Sequence, residues 1–371
     1  MLYLVYASYK PNNAPANRVL AILKGLDELG VEANFILLYP SSKEDRVAEG
    51  TFKNIKIEYL WDKRNCRNRL YKYFVSFVDA RRFAKTLKIG DCVILFGCSS
   101  YAFLFTRIYG VRVYQERTEH PQINPAELSF LQNRYLRCVP DFDGMFVITT
   151  GLKNVMEKYG AKNVHVINML VDSSRFEGLQ KTTTLEKYVA YCGTASNNKD
   201  GVDDLIRAFA IVVKKYPKLQ LKIIGKAPSK NEESGNMKLV ENLGLKDNVV
   251  FTGVINAKYI PQLLKNAMVV ALARPDSLQA QCGFPTKLGE YLLTGNPVVL
   301  TKVGDLPLFL EDGKSAIFAE QRNPKDFADK LLWVLDHPNE ARSIGAAGKK
   351  VALSEFNYKK EAEKILNIIK D

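Results

Sequence analysis

The stretch Gly283-Phe-Pro-Thr-Lys-Leu-Gly-Glu-Tyr-Leu-Leu-Thr-Gly-Asn-Pro-Val-Val-Leu300 reads as a loop, a short helix, a glycine stop and a buried strand. The spacing predicts a helix over Pro285–Thr294, with Pro285 at its first position, where the missing N–H costs nothing and the fixed φ helps. Gly295 ends the helix, and Pro297 opens the next strand without needing a donor. At about 100° per residue, Leu288, Tyr291 and Leu292 share a face suited to packing on a sheet. Thr286 and Glu290 share the other face, and Gly289 beside them removes a side chain, so a ligand can approach the backbone there. Free N–H groups near Thr286 attract an anion by about 0.3–1 kcal/mol. Lys287 adds a full charge beside them. An anion-binding turn followed by a carboxylate suits a ligand with a diphosphate at one end and a ribose at the other. A capped surface helix with a solvated Glu–Lys pair would use the same residues, so the rest of the chain has to separate the two.

A length of 371 residues predicts about two domains. Hydrophobic content of 47% and charged content of 25% are those of a soluble globular protein. No apolar run approaches the roughly 20 residues of a membrane span, and Met1–Tyr6 reads as a first buried strand rather than a leader. Cys66, Cys92, Cys98, Cys138, Cys192 and Cys282 have no metal-type or paired spacing and there are only three His, so reduced intracellular thiols are expected and zinc is not. The net charge of +13 implies acidic partners: nucleic acid, anionic lipid or phosphorylated substrates. Much of it clusters at Lys63, Arg64, Arg67, Arg69, Lys72, Arg81, Arg82, Lys85 and Lys88, interleaved with Tyr71, Tyr73, Phe74, Phe77 and Phe83. Such a stretch forms basic amphipathic helices that lie on an anionic membrane surface, or helices whose aromatics face the core while their charges face water.

Strands and helices alternate throughout. Leu2–Tyr6, Asn34–Leu38, Cys92–Phe96, Val111–Gln115 and Gly144–Ile148 are predicted strands in the first half, with helices at Asn17–Leu29 and about Leu152–Tyr159. Periodicity loosens near Met169–Thr184, where the domains connect. A second series follows: strands at Tyr188–Cys192, Leu221–Ile224, Val249–Phe251, Met268–Leu272 and Pro297–Thr301, and a helix at Asp203–Lys215. Repeated βα units predict an α/β fold of two Rossmann-like domains facing a central cleft, with ligands at strand carboxyl ends. The expected division is 1–172, 173–353 and a C-terminal helix, 354–371, crossing back to the first domain. Asp141-Phe-Asp143 mimics a metal-binding Asp-x-Asp but sits before a buried strand, where it reads as turn chemistry. His165 and His337 read as structural.

The chain resembles the two-domain GT-B glycosyltransferases, specifically the retaining family 4 (group 1) enzymes. The resemblance is carried in order by several segments. They are Val166-Ile-Asn-Met-Leu-Val-Asp-Ser-Ser-Arg-Phe176, Tyr191-Cys-Gly-Thr-Ala-Ser-Asn-Asn-Lys-Asp-Gly-Val-Asp-Asp-Leu-Ile206, Ile223-Ile-Gly-Lys-Ala-Pro228, Val250-Phe-Thr-Gly-Val254, Gly283–Leu300, Val303-Gly-Asp-Leu-Pro307 and Glu311-Asp-Gly313. It is strong after about residue 145 and weak before.

The resemblance implies a retaining, metal-independent hexosyltransferase with no cofactor and a nucleotide diphosphate sugar as co-substrate. Glu290 corresponds to the carboxylate that accepts from the ribose, and Lys199 to the basic residue at the diphosphate. Lys287, Gly193, Thr194, Gly283, Phe284 and Thr286 would surround the diphosphate and sugar, and Gly225, Gly253 and Val254 the base. Two departures stand out. Thr194 occupies the place of a frequent arginine, and Cys282 that of the first of two acids eight residues apart. Asp276 and Gln281 are substitute candidates for that acid. In the first half, Ser8–Arg18 and Glu116-Arg-Thr-Glu-His-Pro121 follow strands, and Glu116, Glu119 and His120 are the candidates to meet the reacting sugar, unless that loop is structural. The expected product is a cell-surface polysaccharide or lipid-linked glycan. The expected place is the cytoplasm, peripheral on the inner membrane face through residues 63–88. A nucleotide-sugar epimerase of the same architecture and a non-catalytic nucleotide-sugar binder are the alternatives. With no nucleic-acid module in the sequence, no nucleic-acid partner is expected.

Overall fold

The computed structural model describes residues 1–371 apart from 8, 10–13, 39–45, 49, 61–68, 122–128, 183–185 and 371. Parts of the Ser8–Arg18 loop, Lys63, Arg64, Cys66 and Arg67 therefore lie outside the described residues. The chain divides into two compact units, Met1–Leu170 with Tyr358–Asp371, and Val171–Asn357.

The first unit has strands β1 (Leu2–Tyr6), β2 (Ala33–Leu37), β3 (Ile55–Tyr59), β4 (Cys92–Phe96), β5 (Arg112–Arg117), β6 (Gly144–Val147) and β7 (Val164–Val166). They form one sheet in the order β3-β2-β1-β4-β5-β6-β7, every pair parallel. All five residues of β4 are buried, the signature of a strand covered on both faces. β3 was not predicted: of its residues only Ile55 is buried, so this edge strand lacks the apolar run that marks the interior ones. The C-terminal helix Tyr358–Lys370 packs through Ala362, Ile365 and Ile369 into the same core as Ile22, Leu23 and Leu26 of the Ala14–Glu28 helix. Gly25 permits the approach, since a Cβ there would lie 2.5 Å from Ala362 Cβ.

The basic aromatic stretch forms a helix at Arg69–Ala84. Its aromatics split between the two expected roles. Tyr73 stacks on Tyr101, Phe77 on Phe103, and Phe83 is buried. Tyr71 and Phe74 are 56% and 62% exposed, and Arg81, Arg82, Lys85 and Lys88 are exposed as well.

The second unit holds β8 (Tyr188–Cys192), β9 (Gln220–Ile224), β10 (Val249–Gly253), β11 (Val269–Leu272), β12 (Val298–Thr301) and β13 (Ile317–Ala319). Their order is β10-β9-β8-β11-β12-β13, again all parallel. Strand order reverses between β8 and β11, and the crevice outside their carboxyl ends is where such sheets bind ligands. The helix of the opening stretch is Lys287–Leu293, shorter than predicted, with Thr286 as its N-cap. Pro285 stands one position before the cap, and its carbonyl accepts from Leu288 N–H at 2.9 Å. The loop after β11, predicted without regular structure, contains the helix Leu278–Cys282, capped by Ser277. The polar stretch at the unit boundary holds a 3-10 turn, Ser173–Phe176, where the Asp172 side chain accepts from Ser174 N–H at 3.1 Å.

Candidate functional site

Loops at four strand ends meet around β8. Gly193 N–H donates to Ile224 O at 2.9 Å, and Gly225 N–H to Gly253 O at 3.0 Å. Gly225 has φ +122°, and a Cβ on it would come within 2.0 Å of Gly193 O, so only glycine lets these strand ends approach. Tyr291, fully buried on the Lys287–Leu293 helix, donates to Cys192 O and accepts from Cys192 N, both at 2.7 Å. That pair of bonds fixes the helix against the end of β8 and sets the position of Lys287 and Glu290.

Lys287 does not stand free beside the phosphate turn. Its ammonium forms an ion pair with Asp200, lies 3.1 Å from Tyr191 Oη, and is 4.8 Å from the centre of the Tyr191 ring. Tyr191 Oη is also 2.6 Å from Asp200 Oδ2 and from Thr194 O. Arg274, which follows β11 and is 1% exposed, places Nε 3.9 Å from Asp200 Oδ1. Its guanidinium also donates to Lys199 O at 3.2 Å and Gly283 O at 3.3 Å. Burial pushes the Asp200 carboxyl up, but Lys287 and Arg274 outweigh it and hold it below the ordinary carboxylate range. Burial pulls the Lys287 ammonium down, with Asp200 opposing. Two cations against one carboxylate leave this cluster net positive directly under the Gly193–Thr194 loop. A Cβ on Gly193 would lie 2.2 Å from Lys287 Nζ, which shows how closely the charge underlies that backbone.

Glu290 faces another neighbour. Its Oε1 accepts from Arg175 Nη1, and Arg175 Nη2 donates to Ala257 O at 3.0 Å. Burial raises the Glu290 carboxyl above the ordinary range while Arg175 pulls it down. Across from it, burial pushes the Cys192 thiol up to about 12, with the Glu290 charge adding to the effect.

The remaining predicted positions divide by geometry. Lys199 lies in the short Asn197–Asp200 helix and is partly buried, and Thr194 is exposed. Val254 is 75% exposed. Phe284 is a core residue: its ring packs edge-on to Phe309 and Phe356, at 5.7 and 5.5 Å. Gly283 N–H is committed to Gln279 O at 3.0 Å, so it is not a ligand donor here, contrary to the expectation. The N–H groups of Phe284 and Thr286 make no backbone bond of this kind among the described residues. Cys282 is buried, and the substitute candidates engage each other, Gln281 Nε2 donating to Asp276 Oδ1 at 2.6 Å.

In the first unit, Glu116 pairs with Arg18 at 2.6 Å, and both side chains are buried. Glu119 is exposed. His120 is buried, and burial together with Arg117 lowers its pKa, favouring the neutral ring. Asp143 Oδ2 accepts from Val113 N–H of β5 at 2.6 Å, so this side chain ties two neighbouring strands together instead of making the local turn contact expected.

Sequence reasoning missed Asp200, Arg274, Tyr191 and Arg175. The one available signal was Arg274, a charged residue immediately after the apolar run of β11.

Two parallel, doubly wound α/β units with a loop cluster at the β8/β11 reversal define a protein of the GT-B class. Solved structures of that class superpose on the whole chain. Sucrose-phosphate synthase from Thermosynechococcus elongatus matches with TM-score 0.78 at 14% identity, covering 100% of this chain and 98% of that one. Anabaena HepE in complex with UDP-glucose matches with TM-score 0.74 at 17% identity, covering 100% and 99%. Residues 176–351 match the family model of glycosyl transferases group 1. Among curated relatives, spore coat protein SA of Bacillus subtilis is 27% identical over 49% of this chain and 48% of its own length. Mannosylfructose-phosphate synthase of Agrobacterium fabrum is 24% identical over 61% and 52%. The chain thus spans about half the length of the curated relatives it matches.

Proposed function

We propose that the protein transfers a hexose-type sugar from a nucleotide diphosphate sugar to a glycan or lipid-linked acceptor, with retention of anomeric configuration. The observation that supports this most is the Glu290 carboxylate beside a net positive cluster at the reversal of strand order. A carboxylate there accepts from ribose hydroxyls, and charged hydrogen bonds of that kind contribute about 1.5–3 kcal/mol. Lys199 contacts the diphosphate. Lys287 acts from beneath the Gly193–Thr194 loop, so its role is electrostatic positioning of leaving-group charge rather than direct contact. In this reading the departing phosphate, on the attacked face, helps deprotonate the acceptor hydroxyl. Glu119 and His120 are the first-unit candidates for meeting the reacting sugar. UDP-glucose, bound by the similar Anabaena structure, is the first donor to try.

The lysines and backbone N–H groups supply the charge neutralisation, so turnover is expected to survive EDTA. Turnover and donor hydrolysis in Glu290→Ala and Lys199→Ala test the site: both are expected to fall at least about tenfold, and near-normal rates in both would sink the proposal. Among the described residues no helix is long and apolar enough to cross a membrane. The exposed Tyr71 and Phe74 beside exposed Arg81 and Arg82 support attachment to an anionic membrane face during polysaccharide or lipid-linked glycan synthesis, from the cytoplasmic side.

A further inference from the structure

Glu290 is held from outside its own helix. Arg175 reaches it from the 3-10 turn at the start of the second unit. One arm of the guanidinium binds Glu290 Oε1, and the other is anchored on Ala257 O at 3.0 Å. A planar fork tied at both ends fixes the carboxylate in angle as well as in place. The side chains are 32% and 23% exposed, so the pair is partly desolvated yet open on one side. Oε2 makes no hydrogen bond to another described residue. The other titratable groups facing Glu290 give it no cation: Cys192 and Tyr291 are both pushed up and stay neutral. Lys287, one turn earlier on the same helix, is tied to Asp200.

We propose that Arg175 is a positioning residue for donor binding: it keeps Glu290 ionised and oriented, with Oε1 occupied and Oε2 left to accept from the ribose hydroxyls of a nucleoside diphosphate. This rests on the ribose role proposed for Glu290. Arg175 touches no part of the donor; it acts through Glu290. Without it, Glu290 would sit in a partly buried place with no compensating charge and would take up a proton at higher pH.

Calorimetric titration of the full chain with UDP between pH 5.5 and 8.5 tests this, with Arg175→Ala, Arg175→Lys, Glu290→Gln and the double variant Arg175→Ala/Glu290→Gln. Glu290→Gln serves as the reference for titration of the UDP phosphate itself. Arg175→Ala is expected to weaken UDP about tenfold at pH 7.5. It should also move the acid fall-off in affinity toward neutral pH by about one unit. Arg175→Lys should return the fall-off close to its original pH, because the charge is kept. The double variant should bind no worse than Glu290→Gln alone. Arg175→Ala with unchanged affinity and fall-off, or weakened binding with no movement of the fall-off, overturns the role of Arg175 while Glu290→Gln still reports on the ribose contact. If Glu290→Gln itself binds like the original protein, or if UDP, GDP and ADP all fail to bind, the ribose reading fails with it. Should Arg175→Ala not fold, as judged by its melting curve, Arg175→Lys and Arg175→Gln decide between charge and shape by the same fall-off.

Discussion

At the residue scale, the main finding is which charges meet. Asp200 binds Lys287 and lies near Arg274, and all three are largely or fully buried. Removing the carboxylate leaves two buried cations without compensation, a loss of about 3–5 kcal/mol. Asp200→Asn is therefore expected to lower stability to urea by that order at pH 7. The sign with pH follows from the depressed Asp200 carboxyl. Its stabilising contribution is complete above the titration of an unfolded aspartate, near about 4, and fades as pH falls through its lower folded value. The difference between Asp200→Asn and the unaltered protein should therefore narrow in acid. A gap that stayed constant from pH 7 to pH 3 would contradict the ion pair. These partners were not readable from the chain. Lys287 was recognisable as a cation at a phosphate turn, but nothing in local spacing reveals that Asp200, 87 residues away, claims its ammonium.

At the element scale, glycines decide how closely the strand ends approach. Gly201 ends the short Asn197–Asp200 helix with φ +65° and opens the next one, and a Cβ there would meet Ala273 O at 1.8 Å. Gly225 is equally constrained against Gly193 O. Either position changed to alanine combines left-handed strain with a backbone clash, so a loss of about 3 kcal/mol or more is expected. Gly225→Ala should weaken UDP along with stability, whereas Gly235→Ala, mid-helix with open space around it, should leave UDP binding unchanged and raise stability by about 0.5–1 kcal/mol. Chemical denaturation and calorimetry on the three variants check this. Most elements here were legible beforehand. β1, β4 and β8 begin and end where the apolar runs do, because strands buried on both faces carry continuous hydrophobic sequence. β3 was not legible, since an edge strand with only Ile55 buried carries no continuous apolar run. The Lys287–Leu293 helix began later than its proline suggested. Thr286 stands at the N-cap position without a side-chain cap bond, and the chain before it is shaped by Phe284 entering the cluster with Phe309 and Phe356.

At the scale of the whole molecule, the last helix belongs to the first unit although it follows the second in sequence. Its seat depends on Gly25 against Ala362 and the Tyr358 carbonyl. Gly25→Leu should overpack that contact and cost about 1–3 kcal/mol, seen as an early, separate transition of the first unit on melting. The exposed aromatics beside basic residues on the Arg69–Ala84 helix make a second molecular-scale prediction. Tyr71→Ser/Phe74→Ser should reduce flotation with anionic liposomes at low salt at least severalfold, while leaving the melting temperature within about 2 °C because neither side chain is buried. Equal flotation of both forms would remove the membrane from the proposal.

The sequence by itself determined the alternation of strands and helices, the two α/β units and the family to which Gly283–Leu300 points. These follow from periodicity and turn chemistry, which act over a few residues. Only the tertiary structure decided who neutralises whom: Arg175 with Glu290, Lys287 with Asp200, and Arg18 with Glu116. Each pair joins residues far apart in the chain. Its energy comes from shared burial, which no local pattern encodes and only the folded sheet creates.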